Sequence, residues 1–162
     1  MAEGRFWVKG IIINLFVIAF LLQMGMVKES CADGHDQFRE AQALIDKTVA
    51  KYPDIVRLTI HAVPAGKEGS RIIACNIREK IGSFSDPEDL EVLKTNKAVI
   101  LKEGDNLDVT APICDKAGKP IAATGITLRF RKGETESQVV EKAKSIAKEL
   151  TVAIQNSDAP LW

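Results

Sequence analysis

The stretch Ala98–Phe130, AVILKEGDNLDVTAPICDKAGKPIAATGITLRF, constrains the fold more than any other part of the chain. Ala98–Lys102 is a short aliphatic run closed by Gly104-Asp105-Asn106. From Leu107 the residues alternate. Leu107, Val109, Ala111 and Ile113 fall on one side, and Asp108, Thr110, Pro112 and Cys114 on the other. A period of two marks a strand with two chemically different faces. Asp115–Pro120 has turn formers at both ends and a glycine, Gly118, free to adopt the positive φ that hairpin loops need. Ile121–Phe130 then returns with Ile126, Leu128 and Phe130 on one face and Gly125, Thr127 and Arg129 on the other. Three strands joined by tight turns predict an antiparallel meander, which carries no catalytic signature of its own.

The flanking segments complete the layer. Over Asp36–Tyr52 the residues Phe38, Ala41, Leu44, Ile45, Thr48, Val49 and Tyr52 recur at three- and four-residue spacing, predicting a helix that Pro53 stops. Ile55–Val63 predicts a strand in which Val56, Leu58, Ile60 and Ala62 alternate with Arg57, Thr59, His61 and Val63. A loop over Pro64–Gly69 leads to a second strand, Arg71–Asn76, apolar nearly throughout. Asp86-Pro87-Glu88-Asp89 predicts a helix start, with a capping carboxylate, proline at the first position and acids in the first turn. That short helix carries Leu90 and Leu93, and Asn96 suits its left-handed end. Thr135–Ile154 closes the order as a long helix striped by Val139, Ala143, Ile146, Ala147, Leu150 and Ile154. Helix, two strands, helical excursion, three strands, helix is an α+β arrangement of the PAS-like or profilin-like kind. A five-stranded antiparallel sheet is expected, with the N- and C-terminal helices on one face.

The N-terminus carries a different signal. Arg5 and Lys9 precede Ile11–Leu22, a run apolar except at Asn14, and Ser30-Cys31-Ala32 places small residues before Asp33. This pattern predicts a secretory signal peptide over residues 1–32. The alternative is an uncleaved anchor through residues 10–27, just long enough to span a bilayer of roughly 20-residue thickness. Either way residues 33–162 are expected to form one domain outside the cytoplasm, periplasmic or secreted, or held at the inner membrane by the anchor. Lys plus Arg and Asp plus Glu number 22 each, so no basic surplus is available for a nucleic-acid partner.

The run from Ile72 to Phe130 resembles the extracellular Cache domains of bacterial sensors. The matching pieces are Ala74–Asn76, Ile81-Gly82, the short helix Asp86–Leu93, the turn Thr95-Asn96-Lys97 and the hairpin from Pro112 to Ala122. Asn96 stands where that family usually has glycine, Ala122-Ala123 replaces the glycine after Ile121, and no second membrane span or output domain is expected after the last helix. The resemblance implies sheet order 2-1-5-4-3. It also implies a small-ligand pocket on the face away from the long helices. That order would separate the strands bearing Cys75 and Cys114, so two buried free thiols are expected rather than a bridge.

Strand parity then sorts the candidates. Val56, Leu58, Ile60, Leu107, Val109, Ala111, Ile113, Ile126 and Leu128 form the helix face. Arg57, Thr59, His61, Asp108, Thr110, Thr127 and Arg129 form the other, and are the candidate ligand-binding residues. Arg57 or Arg129 would suit a carboxylate and Asp108 an ammonium, as in a small carboxylate or amino-acid ligand. The plain alternative is a sheet face open to water, whose polar residues need no ligand. An interaction or homodimerisation module, using the amphipathic end helices or the Leu161-Trp162 tail, is a second reading. A haem or redox protein using His61, Cys75 and Cys114 is a third. His35 and His61 alone do not show metal-ligand spacing, and there is no Ser-His-Asp order, phosphate loop or paired-cysteine zinc motif. No enzyme activity and no cofactor or metal is expected.

Overall fold

A computed structural model describes residues 38–157. The expected signal segment, the alternative anchor, His35 and the Leu161-Trp162 tail lie outside the described residues. The elements in order are α1 (Arg39–Lys51), β1 (Ile55–Ala62), β2 (Arg71–Cys75), a 3-10 turn (Arg78–Lys80), α2 (Pro87–Thr95), β3 (Val99–Glu103), β4 (Asn106–Cys114), β5 (Pro120–Arg129) and α3 (Glu136–Gln155). The five strands form one antiparallel sheet, as alternation predicts, in the order β2-β1-β5-β4-β3 that the resemblance implies.

One face of the sheet is the apolar core. Leu58 and Ile60 from β1, Leu107, Val109 and Ile113 from β4, and Ile126 and Leu128 from β5 pack against Ala41 and Ile45 of α1 and Val139, Ala143, Ile146 and Leu150 of α3. Both long helices therefore lie on this face. Each large aliphatic side chain taken fully out of water contributes roughly 1.5–3 kcal/mol. Thr135 caps α3, its hydroxyl accepting from the Gln138 N–H at 3.3 Å while its own N–H donates to Gln138 Oε1 at 2.9 Å. Lys51 and the Tyr52 hydroxyl both reach Glu149, at 2.8 and 2.7 Å, tying α1 to α3.

Two local expectations change. Val56 is not a core residue: the β1–β5 register shifts between Ile55 and Arg57, and Ile55 enters the core while Val56 stays half-buried at the irregularity. Asn76 clamps this site, accepting from the Leu58 N–H at 2.8 Å and donating to the Val56 carbonyl at 3.2 Å. The second change is in α2. Leu90 is 48% exposed, and the residues buried under the helix are Asp89 and Val92, because this helix covers a polar surface. β2 is the edge strand that the expected order implies, despite its apolar composition. Its outer side is sealed by the chain at Gly82–Ser83, where the Ile72 N–H donates to the Ser83 carbonyl at 2.9 Å and the Gly82 N–H to the Ile72 carbonyl at 2.8 Å. The turn needs Gly82, whose φ is +91°. The opposite edge, β3, is exposed along most of its length.

Among the described residues no helix is long and apolar enough to cross a membrane.

Candidate functional site

The three central strands stack the polar candidates in rows. Across β1, β5 and β4 the first row is Arg57, Thr127 and Asp108, and the second is Thr59, Gly125 and Thr110. His61 lies one step further along β1, opposite Ala123. Successive residues on one strand face lie two positions apart, so the alternation in sequence becomes a patch on the sheet.

That patch is not open to water. Thr59, His61, Asp108, Thr110 and Thr127 are 3, 4, 5, 2 and 3% exposed. The cover is the excursion between β2 and β3, which brings Lys80, Asp86, Glu88 and Asp89 over the sheet. Asn96 ends α2 in the left-handed conformation, φ 57°, and returns the chain to β3.

A hydrogen-bonded line ties roof to sheet. The His61 Nδ1 lies 3.1 Å from Asp89 Oδ2 and 3.0 Å from the Ser85 hydroxyl, which in turn donates to Ser70 at 2.7 Å. Asp89 Oδ2 also accepts from the Asp86 N–H at 2.8 Å, closing the first turn of α2. A carboxylate only accepts, so Nδ1 carries the ring proton. Nε2 then accepts from the Thr59 hydroxyl at 2.8 Å, and that hydroxyl accepts from the Gly125 N–H at 3.1 Å. Gly125 is required by space: a Cβ there would stand 2.7 Å from Thr59 Oγ1. In the first row, Thr127 donates to Asp108 Oδ1 at 2.6 Å, while the Arg57 Nη2 is 3.6 Å from Asp108 Oδ2.

Burial sets the charge states. It pushes His61 down to about 4, against a smaller opposing pull from Asp86. It pushes Asp89 up to about 6, opposed by the Asp86 N–H and reinforced by the carboxylates of Asp86, Glu88 and Asp108. At neutral pH the ring is uncharged and Asp89 is an anion.

Between roof and sheet remains a cavity of about 40 Å³, lined by Arg57, Thr59, His61, Asp108 and Thr110 from below. A water needs roughly 10–15 Å³ of such space, so the cleft, open on one side, holds a few waters or one small polar group. Arg129 is not part of it. That residue is exposed at the far end of β5, beside a separate open hollow of about 450 Å³ with Asp54 and Arg131. Thr127 sits beneath the cleft and reaches it through Asp108. Five of the seven candidates therefore line the cleft, one supports it and one lies elsewhere.

The cysteines do not assemble with His61 into a redox centre. Cys75 and Cys114 are both free, on strands separated by β1 and β5. Cys75 is buried as expected, whereas Cys114 is only half-buried. Burial pushes the Cys75 thiol up, away from the reactive thiolate. Both His61 nitrogens are engaged, and the cleft is far too small for a haem. Among the described residues no three His, Cys, Asp or Glu side chains are placed to hold a metal ion.

No protein-family model matches the sequence, and no curated protein is significantly similar to it. Solved structures are. The GAF domain of A. Aeolicus nlh2 in an inactive state superposes with a TM-score of 0.50 at 11% identity, covering 75% of this chain and 93% of that one. The GAF domain region of a protein from Geobacter sulfurreducens PCA gives 0.54 at 14%, covering 75% and 95%. The domain has a GAF-like fold. A fragment of a methyl-accepting chemotaxis protein gives 0.50 at 12%, covering 74% and 89%. At these identities the likeness concerns the fold. It agrees with the PAS-like architecture read from the chain and does not support the Cache resemblance in particular.

Within the GAF-like domain, sequence reasoning missed the roof side of the site. Asp89 was accounted for by helix capping alone. Ser70 and Ser85 lie in irregular segments without periodicity, Lys80 ends the short 3-10 turn, and Glu88 sits in the first turn of α2, where acids are ordinary. The available signal was the spacing of Asp89 and Val92, three residues apart, which places an acid on the same helix face as a buried aliphatic residue.

Proposed function

We propose that this GAF-like domain is an exported, non-enzymatic small-molecule sensor module whose ligand binds between the polar sheet face and α2. One observation carries the reading. The face that alternation reserves for polar side chains is buried under a roof, around a cavity, rather than spread in solvent. Burying polar groups destabilises a fold unless they are fully paired, so stability alone favours an apolar layer here. The similarity to GAF domains supports a sensor-type fold. Export is supported by the basic, apolar and small-residue order of the first 32 residues. The Cache-type motifs from Ala74 to Ala122 give it a second line of support.

The expected ligand is a small polar molecule of the carboxylate or amino-acid type, with Arg57 at an anionic end. It is larger than the cavity, so it would extend past the rim at Arg57 or lift the segment between Gly82 and Asn96. Both ends of that segment already have positive φ. A thermal-shift screen of the full chain against amino acids, carboxylates, purines and polyamines tests the reading. A ligand at a hundredfold excess over its Kd stabilises the folded state by about 2.7 kcal/mol. The expected hit disappears in Arg57→Ala or Asp108→Ala. A hit unaffected by either substitution, or no hit in the library, removes the reading.

A second reading, an interaction module, is favoured by β3. Ile100 and Leu101 are 42 and 40% exposed on this outer strand, whose far edge has no partner strand among the described residues. Concentration-dependent self-association without ligand would support it.

A further inference from the structure

The charge around the cleft and the oxygens that line it narrow the ligand class. Asp86, Glu88, Asp89 and Asp108 line the cavity, and the cations lining it are Arg57 and Lys80. With His61 uncharged, the cleft carries a surplus of negative charge at neutral pH. Arg57 does not neutralise Asp108 closely. Its 3.6 Å separation from Asp108 Oδ2 exceeds hydrogen-bond length, and its side chain is 31% exposed at the rim. Asp108 Oδ1 is used by Thr127, but Oδ2 receives no hydrogen bond from any described residue.

A second observation points to the same spot. Thr110 is 2% exposed and lines the cavity, and its hydroxyl has no hydrogen-bond partner among the described residues. It is cross-strand neighbour to Gly125, which offers no side chain to fill the space. Two oxygens on adjacent rows, Asp108 Oδ2 and Thr110 Oγ1, therefore line the cavity without a protein donor among the described residues and are reached from the cavity rather than sealed from it. Water can satisfy both oxygens, and a ligand group bringing donors would replace it there.

We propose that the part of the ligand buried in the cleft is a primary ammonium group, held by Asp108 Oδ2 and Thr110 Oγ1 beneath the acids of α2. This rests on the cleft being a ligand site. An ammonium brings only donors and a positive charge, and its size matches a cavity of about 40 Å³. A carboxylate at the same depth would add an anion to an acidic site. The remainder of the molecule leaves past Arg57, whose guanidinium, held only at 3.6 Å from Asp108, can also take a carboxylate if the ligand has one.

The test uses the full chain at pH 7.5, in choline chloride of constant ionic strength. Methylammonium chloride, sodium chloride and sodium acetate are titrated separately and read by thermal shift and calorimetry. Methylammonium is expected to raise the melting temperature saturably while sodium chloride and acetate do not. Asp108→Asn keeps an acceptor for Thr127 and is expected to abolish the response. Thr110→Val is expected to weaken it by roughly tenfold, the loss of one hydrogen bond to a charged group. Circular dichroism of both variants without ligand checks that they fold. A response to acetate alone overturns the ammonium assignment and leaves the sensor reading standing. A response to sodium chloride equal to that of methylammonium shows a monovalent-ion site and also overturns it. A methylammonium response that survives in both variants places binding elsewhere. Silence towards methylammonium, alongside a hit in the wider screen that depends on Asp108, overturns the ammonium and keeps the cleft; silence in both removes the two together.

Discussion

The two faces of this sheet are buried by opposite chemistries. Beneath α1 and α3 lie Leu58, Ile60, Val109, Ile126 and Leu128, which need no partners and gain stability from leaving water. Beneath α2 lie Thr59, His61, Asp108, Thr110 and Thr127, which leave water at a loss that hydrogen bonds only partly offset. The strands are the same strands, and each residue differs from its neighbour only by parity. The apolar face holds the domain together. The polar face is the part that folding alone does not explain, and for that reason it is where binding is placed.

Substitutions on the two faces should therefore behave differently, beginning with the largest effect. Ile126→Ala opens a void in the apolar face and is expected to destabilise by about 2–5 kcal/mol in denaturant unfolding. On the polar face, acidification separates the two buried titrating groups. His61 sits near 4 against an ordinary value of 6.5, so the unfolded chain takes up this proton first, and its contribution is lost as pH falls from 6.5 to 4. Asp89 runs the other way. Its value is raised to about 6, so the folded state takes up the proton first, and the burden of a buried charge is relieved as pH falls from 6 towards 3.8. The slopes oppose each other in one window. Relative to the unsubstituted chain, Asp89→Asn should lose stability on acidification from pH 6.5 to 4.5, and His61→Gln should gain it. Unfolding curves across that range should diverge by up to about 3 kcal/mol. Identical pH profiles for the two variants would show that the pair does not couple roof to sheet.

A smaller loss is expected from Gly125→Ala. The added methyl meets the Thr59 hydroxyl and forces the His61–Thr59 line to move, destabilising by about 1–3 kcal/mol by thermal melting. Smallest of all is Thr110→Val without ligand. Its hydroxyl bonds to no described residue, so replacing it with a methyl of similar size should change stability by no more than about 0.5 kcal/mol, in either direction. A loss above 1 kcal/mol would mean that this hydroxyl serves the fold.

The apolar face was legible in the sequence because a core is written as periodicity. Leu107, Val109 and Ile113 declare a strand by alternation, and Val139, Ala143, Ile146 and Leu150 declare a helix by their spacing. The exception, Val56, lies where a register shift breaks the period, and no alternation rule anticipates that. The polar face was half legible. Parity found Arg57, Thr59, His61, Asp108 and Thr110 because they sit on regular strands. It also admitted Arg129, which obeys the same parity but lies beyond the roof's reach, since periodicity fixes a face and not a position along it. Asp89, Ser85 and Ser70 escaped because their contacts to His61 are made by the folding-over of an irregular segment. The order of β2, β1, β5, β4 and β3 came through resemblance rather than pattern, as pairing partners distant in sequence leave no local mark.

The central claim is that the polar face is kept for a ligand and not for the fold. Its most direct measurement is urea unfolding of the Asp108→Asn/Thr110→Val double variant at pH 7, beside Ile126→Ala and the unsubstituted chain. The account predicts that the double variant unfolds at the same or a higher urea concentration than the unsubstituted chain and no longer responds to methylammonium. A midpoint lowered as far as that of Ile126→Ala would contradict it, showing that Asp108 and Thr110 hold the domain together as the apolar core does.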